Sequence, residues 1–153
     1  MGRNLVFDSL DQGLAECEHL LSVGYSPMGK WTLAQICFHI RKTIEKNMAG
    51  YPAWMTILGY PLRPILRSAM LPRLLNGNSP KGIKTAGMFV PPENLDDRHE
   101  LVALSECVSE FLDFKMPLHA HPGFGAMDHS QFHKFHAAHL AHHLNFLAPN
   151  SGS

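Results

Sequence analysis

SQFHKFHAAHLAHHLNFL, residues 130–147, is the stretch that decides how this chain folds. It holds no carboxylate, proline or glycine, and Pro149 stands just beyond its end, so it reads as one uninterrupted helix. At about 100° per residue, His143 lies about 40° and Phe146 about 20° from His139, and Phe132 and Phe135 fall within about 40° of it. His139 and His143 therefore sit one turn apart inside the apolar stripe. His142 and His136 lie on its edges, and His133 leaves it. A helix with such a face must bury it against other helices.

Three more segments supply that company. Residues 7–22 repeat Leu10, Leu14, Cys17, Leu20 and Leu21 at helical spacing, with Asp8 or Ser9 as cap and Gly24 and Pro27 beyond the end. A second helix follows Trp31, with Thr32 as N-cap and Gln35 three residues on, the capping-box pattern. Its apolar positions are Leu33, Ile36, Cys37, Ile40 and Ile44, and Gly50 stops it near Ala49. A third is predicted over residues 96–114, with Leu101, Leu104, Val108, Phe111 and Leu112 as its stripe. Between the second and third lies a proline-rich crossover with a short helix expected over residues 65–75 and a loop over residues 76–93. Pro122–Gly125 (PGFG) reads as a turn. No run alternates well enough for a sheet. The fold class expected is all-α, an antiparallel four-helix bundle with a long crossover.

The chain has 153 residues, a length that suits a single domain spanning 1–153. Its 13 Lys and Arg balance 13 Asp and Glu, and it is 45% hydrophobic but only 17% charged. A neutral chain lacks the basic footprint of a nucleic-acid binder, and the composition is too apolar for disorder. No apolar run reaches the roughly 18 residues of a membrane span. Residues 1–12 do not read as a secretory signal, and Val6 stands where a myristoylation motif needs Ser or Thr. Cys17, Cys37 and Cys107 are odd in number and form no CxxC, which reads as reduced thiols packed in a cytoplasmic protein.

The unusual count is 11 histidines, eight of them between His119 and His143. Two imidazoles at i and i+4 on one helix face can hold one metal ion. The competing reading is a pair of core-edge histidines bonded to backbone or to each other; phenylalanines on both sides make unpaired imidazoles costly there. His39, in the middle of the second helix, is the candidate third ligand, although it lies about 110° from the centre of that helix's stripe. Three imidazoles with open positions suit Zn²⁺ or Ni²⁺, which would acidify a water, bind a thiol or polarise a carbonyl. Other bundle chemistries lack their motifs. A di-iron site needs two Glu-x-x-His motifs and only Glu16–His19 exists, HExxH is absent, and the phosphate-loop spacing from Gly77 to Gly82 has Ile83 in place of Lys. His121 suits a turn residue or a neighbour of the site, and His136 and His142 are further neighbours.

Between Lys46 and Pro92 there is no Asp or Glu, while Lys46, Arg63, Arg67, Arg73, Lys81 and Lys84 all fall there. That window reads as a solvated basic face, or as attraction for an anionic ligand or an acidic membrane surface.

Gly29-Lys-Trp31-Thr-Leu-Ala-Gln35-Ile-Cys-Phe-His39 resembles the second-helix signature of the DinB/YfiT-like superfamily of metalloenzymes, and His139-Leu-Ala-His142-His143 its fourth-helix pattern. His121-Pro-Gly-Phe-Gly125 resembles a branch known only as a domain of unknown function, the DUF1569 type. The resemblance covers nearly the whole chain. It implies an up-down-down-up bundle, often a homodimer, with one divalent ion held by His39, His139 and His143. Better-studied relatives are thiol-dependent transferases and isomerases, which implies a low-molecular-weight thiol as partner to a small-molecule substrate. One departure is Phe146, where related chains commonly carry Gln, so a polar group near the ligands is replaced by an apolar one.

Three functions compete on this reading. The first is a metal-dependent enzyme on a small molecule, a thiol transferase or hydrolase. The second is a non-catalytic bundle acting through dimerisation or binding, with the metal structural or absent. The third is a histidine-based pH sensor changing state between about pH 5 and 7.

Overall fold

Each long helix begins where a short polar side chain takes over an amide that the helix itself cannot satisfy. In the computed structural model, which describes residues 2–79 and 84–151, Ser9 caps α1 (Leu10–Val23) by accepting from the Gln12 amide. Thr32 and Gln35 form the expected capping box of α2 (Leu33–Ala49). The first crossover helix, α3, is Ala53–Gly59. Asp96 caps α4 (Asp97–Asp113), and Asp128 with Gln131 caps α5 (His129–Leu144) by a second capping box.

The chain is mostly helical, and the helices pack through their apolar stripes. α2 packs most extensively on α4 and by its other flank on α5, while α1 packs on α5 and α4. Leu10, Leu20, Ile40, Ile44, Leu104, Phe111, Phe132 and Leu144 are fully buried between them. Each such side chain contributes about 1.5–3 kcal/mol by leaving water. Cys17, Cys37 and Cys107 are free and buried, filling the core as small apolar groups.

The structure corrects three expectations. α5 stops at Leu144 rather than at Leu147, and residues 147–149 form a strand. Asn145 is tied to the N-terminal segment, its side chain accepting from the Leu5 amide at 2.7 Å and its carbonyl from the Arg3 amide at 2.9 Å. Beyond it, β2 (Leu147–Pro149) pairs antiparallel with β1 (Tyr25–Pro27), a sheet that no alternation announces because each strand is three residues long. Pro27 and Pro149 lack the amide that would extend the ladder. The crossover is also more helical than expected. α3 precedes a continuous helical run over residues 60–75, which includes the helix expected over residues 65–75 and passes from 3₁₀ through α and π to α geometry; Pro61, Pro64 and Pro72 each sit at the start of a new segment, where a missing N–H costs little. That run buries Leu71 and Leu74, whereas Trp54, Ile57, Leu58, Leu62 and Ile65 face outward. α3 docks by Gly59, where an added Cβ would lie 2.3 Å from the Pro122 carbonyl oxygen. The phosphate-loop spacing and Lys81 fall partly or wholly on residues 80–83, outside the described residues. No helix among the described residues is long and apolar enough to cross a membrane.

Candidate metal centre

His39 projects from α2, and His139 and His143 project from α5, one turn apart. Their Nε2 atoms converge, His39 to His139 at 3.2 Å and His143 to His139 at 3.1 Å. A ligand atom from each lies within 4.8 Å of the others, near enough to hold one metal ion. His39 is 3% exposed despite its distance from the α2 stripe. The reason is that α2 is covered on two flanks, by α4 and by α5, so its buried arc is wider than one stripe.

The protonation pattern follows from the partners. His39 Nδ1–H donates to the Phe89 carbonyl at 2.9 Å, so its Nε2 carries a lone pair aimed at the other two rings. Burial lowers the pKa of all three histidines, and the neighbouring imidazoles lower those of His139 and His143 further. All three are therefore neutral at pH 7, as ligands must be. Three such nitrogens cannot satisfy one another, because one N–H can be shared among them and the remaining lone pairs face each other. His139 Nδ1 is buried without a hydrogen-bond partner among the described residues. The first feature fits a cation bound at Nε2, which would accept the converging lone pairs; it would also place the His139 proton on Nδ1, which meets no acceptor among the described residues. Trp31 stacks on His143 with ring centres 5.2 Å apart and tilts over His39 at 4.9 Å, which holds the rings and keeps water off that side.

The cluster opens into a cleft of about 750 Å³ whose walls include Trp31, Met70, Phe124, Phe135 and Phe146. Lys30 and Lys84 also line it, and no carboxylate is among its described lining residues. His142 lines it too, with its ring 5.1 Å from that of His143 and 5.8 Å from that of Phe146. Phe146 thus makes this part of the wall apolar where a Gln would bring an amide.

The remaining histidines of α5 do structural work. His129 Nε2–H donates to the Phe111 carbonyl at 2.7 Å, satisfying the end of α4. His133 Nε2 accepts the Leu10 amide at 3.0 Å, satisfying the start of α1. His136, fully buried, meets Asn47 Oδ1, while Asn47 Nδ2 donates to the Tyr51 hydroxyl at 3.1 Å and to the His119 carbonyl at 3.2 Å. Burial holds His136 at about 3. His136 is thus a core residue joining α5 to α2, outside the group of described residues that lies close enough together to hold a metal ion. Asn47 was not anticipated from the sequence, although its register with Ile40 and Ile44 is a signal that could have placed it on the buried face. The Phe89 carbonyl that orients His39 had no signal, since a backbone group carries none.

In the basic window Arg67, Arg73 and Lys84 are exposed, as a solvated face requires, but Arg63 and Arg67 are also tied to backbone carbonyls rather than left open as a ligand cradle. Arg63 Nε–H donates to the Pro122 carbonyl at 3.0 Å, and Arg67 donates to the carbonyls of Phe124 and Ala126 at 2.8 and 2.7 Å. These guanidiniums fasten the crossover to the turn that follows His121.

A mostly helical protein that gathers three neutral imidazoles at the head of an apolar cleft is the class defined by fold and site. Within that class, the chain belongs to the family described as Protein of unknown function (DUF1569), whose model matches residues 1–150. No curated protein and no solved structure matches it.

Proposed function

We propose that this chain is a single-domain member of the DinB/YfiT-like superfamily, an up-down-down-up four-helix bundle and a metal-dependent enzyme acting on a small molecule. His39, His139 and His143 are its ligands, and Zn²⁺ or Ni²⁺ suits their borderline nitrogen donors. The observation that carries the proposal is the convergence of three Nε2 atoms that the protein leaves mutually unsatisfied. Such an ion supplies Lewis acidity, lowering the pKa of a bound thiol or polarising a substrate oxygen. The chain's own residues do the rest. The Phe89 carbonyl fixes the tautomer of His39, Trp31 excludes water, and Lys30 and Lys84 attract an anionic substrate toward the apolar cleft. A transferase of this kind works with a low-molecular-weight thiol in the cytoplasm, and homodimerisation accords with the resemblance.

The test is consumption of glutathione or a related thiol with a small electrophile by the zinc-loaded chain. Turnover that vanishes in His139→Ala supports the proposal, and turnover unchanged by that substitution refutes it. The lack of a carboxylate among the described lining residues supports a second reading, in which the ion clamps α2 to α5 and the protein acts by binding. On that reading zinc raises thermal stability while no thiol is consumed.

A further inference from the structure

His121 faces the same cleft from the turn before α5, and the turn is built around one nitrogen of its ring. The amides of Gly123 and Phe124 both donate to His121 Nδ1, at 3.0 and 3.1 Å. A neutral imidazole that accepts at Nδ1 carries its proton on Nε2. The backbone of His121 and Gly125 exchanges two hydrogen bonds of 2.9 and 2.8 Å, and the positive φ of 81° at Gly125 allows that closure. Arg63 and Arg67 hold the turn's carbonyls from the crossover side. Phe124 stacks on the His121 ring at 4.7 Å, and Phe135 meets its edge at 5.4 Å. Position, orientation and tautomer of this imidazole are all set.

Among the described residues, the proton so fixed has no use. His121 lines the cleft, and its Nε2–H meets no acceptor among the described residues. Burial and the nearby Arg63 hold its pKa at about 4, so it stays a neutral donor at pH 7. Around it the walls are apolar, no carboxylate is among the described lining residues, and Lys30 and Lys84 supply positive charge.

We propose that the cleft takes a small carboxylate with an apolar body, aromatic or branched aliphatic, and that His121 binds its oxygen through Nε2–H. This deepens the small-molecule reading of the cleft and rests on it. A residue needed for the turn alone would use Nδ1 and leave the other nitrogen without a ligand to meet, so the two roles separate experimentally.

The probe is phenylacetate, with 2-phenylethanol as its uncharged counterpart, titrated into the full-length zinc-loaded chain labelled with ¹⁵N-histidine. The expected spectrum shows His121 protonated on Nε2. Saturable binding of phenylacetate then shifts that nitrogen, at least about tenfold more tightly than 2-phenylethanol. His121→Asn keeps a side-chain oxygen for the two amides. It retains its zinc content and binds phenylacetate about ten- to a hundredfold more weakly, the loss of one hydrogen bond to a charged group. If that variant does not fold, the wild-type Nε2 shift decides. Protonation on Nδ1, no saturable phenylacetate binding, or equal affinity in the folded variant would overturn the proposal. Zinc content is read on the same samples. A chain without zinc that still binds phenylacetate through His121 supports this site while refuting the metal reading, so the two fail separately.

Discussion

Acidifying the metal-free chain from pH 7 to pH 5 should remove a large part of its stability. His121 and His136 are held at about 4 and about 3 when folded, against an ordinary value of 6.5, because burial disfavours the charged ring. Unfolded, both take up a proton as the pH falls through about 6.5, so the unfolded state binds more protons and is favoured. The stability these groups contribute is present above that value and is lost progressively down to the folded values. At pH 5 each has lost about 2 kcal/mol, and the pair about 4 kcal/mol, out of a total of roughly 5–15 kcal/mol for a domain. His39, His139 and His143 are shifted in the same direction and add to the loss. Glu45 does not confound this window. Burial pushes Glu45 up and its contacts with Lys42 and Arg41 outweigh that, so its value lies below the ordinary 4.5 and its contribution fades only under that pH. Urea unfolding followed by circular dichroism at pH 7, 6 and 5, with chelator present, measures the effect. His136→Gln, neutral throughout, should lose about 2 kcal/mol less over the same range. A wild-type stability constant to within about 1 kcal/mol between pH 7 and 5 would refute the assignment of neutral buried imidazoles.

Zinc at a hundred times its dissociation constant should stabilise the chain by about 2.7 kcal/mol, a rise of roughly 5–10 °C in Tm that EDTA reverses and that His139→Ala abolishes. Gly59→Ala puts a methyl group 2.3 Å from the Pro122 carbonyl oxygen. It should cost about 1–3 kcal/mol in urea unfolding, while Gly87→Ala stays within about 0.5 kcal/mol. An added Cβ at Gly87 meets nothing within 4 Å. Asn47→Ala strands the His136 Nε2–H and the His119 carbonyl, and should lower stability by about 2–4 kcal/mol by the same assay.

The long helices were legible because their signals are local. Thr32 with Gln35 marked the start of α2, and the leucine stripe marked α1. Asp128 with Gln131 is the same device as Thr32 with Gln35 and marks the start of α5 one residue ahead of Ser130. The short strands were not legible, since Tyr25–Pro27 and Leu147–Pro149 depend on each other across the whole chain and each is too short for alternation to register. The pair His139 and His143 followed from a spacing of one turn. His39 did not follow from its helix alone, because its burial depends on α5 covering a second flank of α2. The histidine count misled in one respect. His129, His133 and His136 satisfy helix ends and a buried amide, roles that depend on α1, α2 and α4 and leave no pattern on α5 itself. Arg63 and Arg67 looked like open charge because the carbonyls that bind them lie about sixty residues away.

Zinc stoichiometry bears most directly on the central claim. The purified chain, stripped with chelator and dialysed against zinc, is analysed beside His39→Ala, His139→Ala and His143→Ala, with circular dichroism confirming that each is folded. The account predicts one ion per chain in the wild type and loss of that ion in all three variants. One ion per chain retained in all three would contradict it.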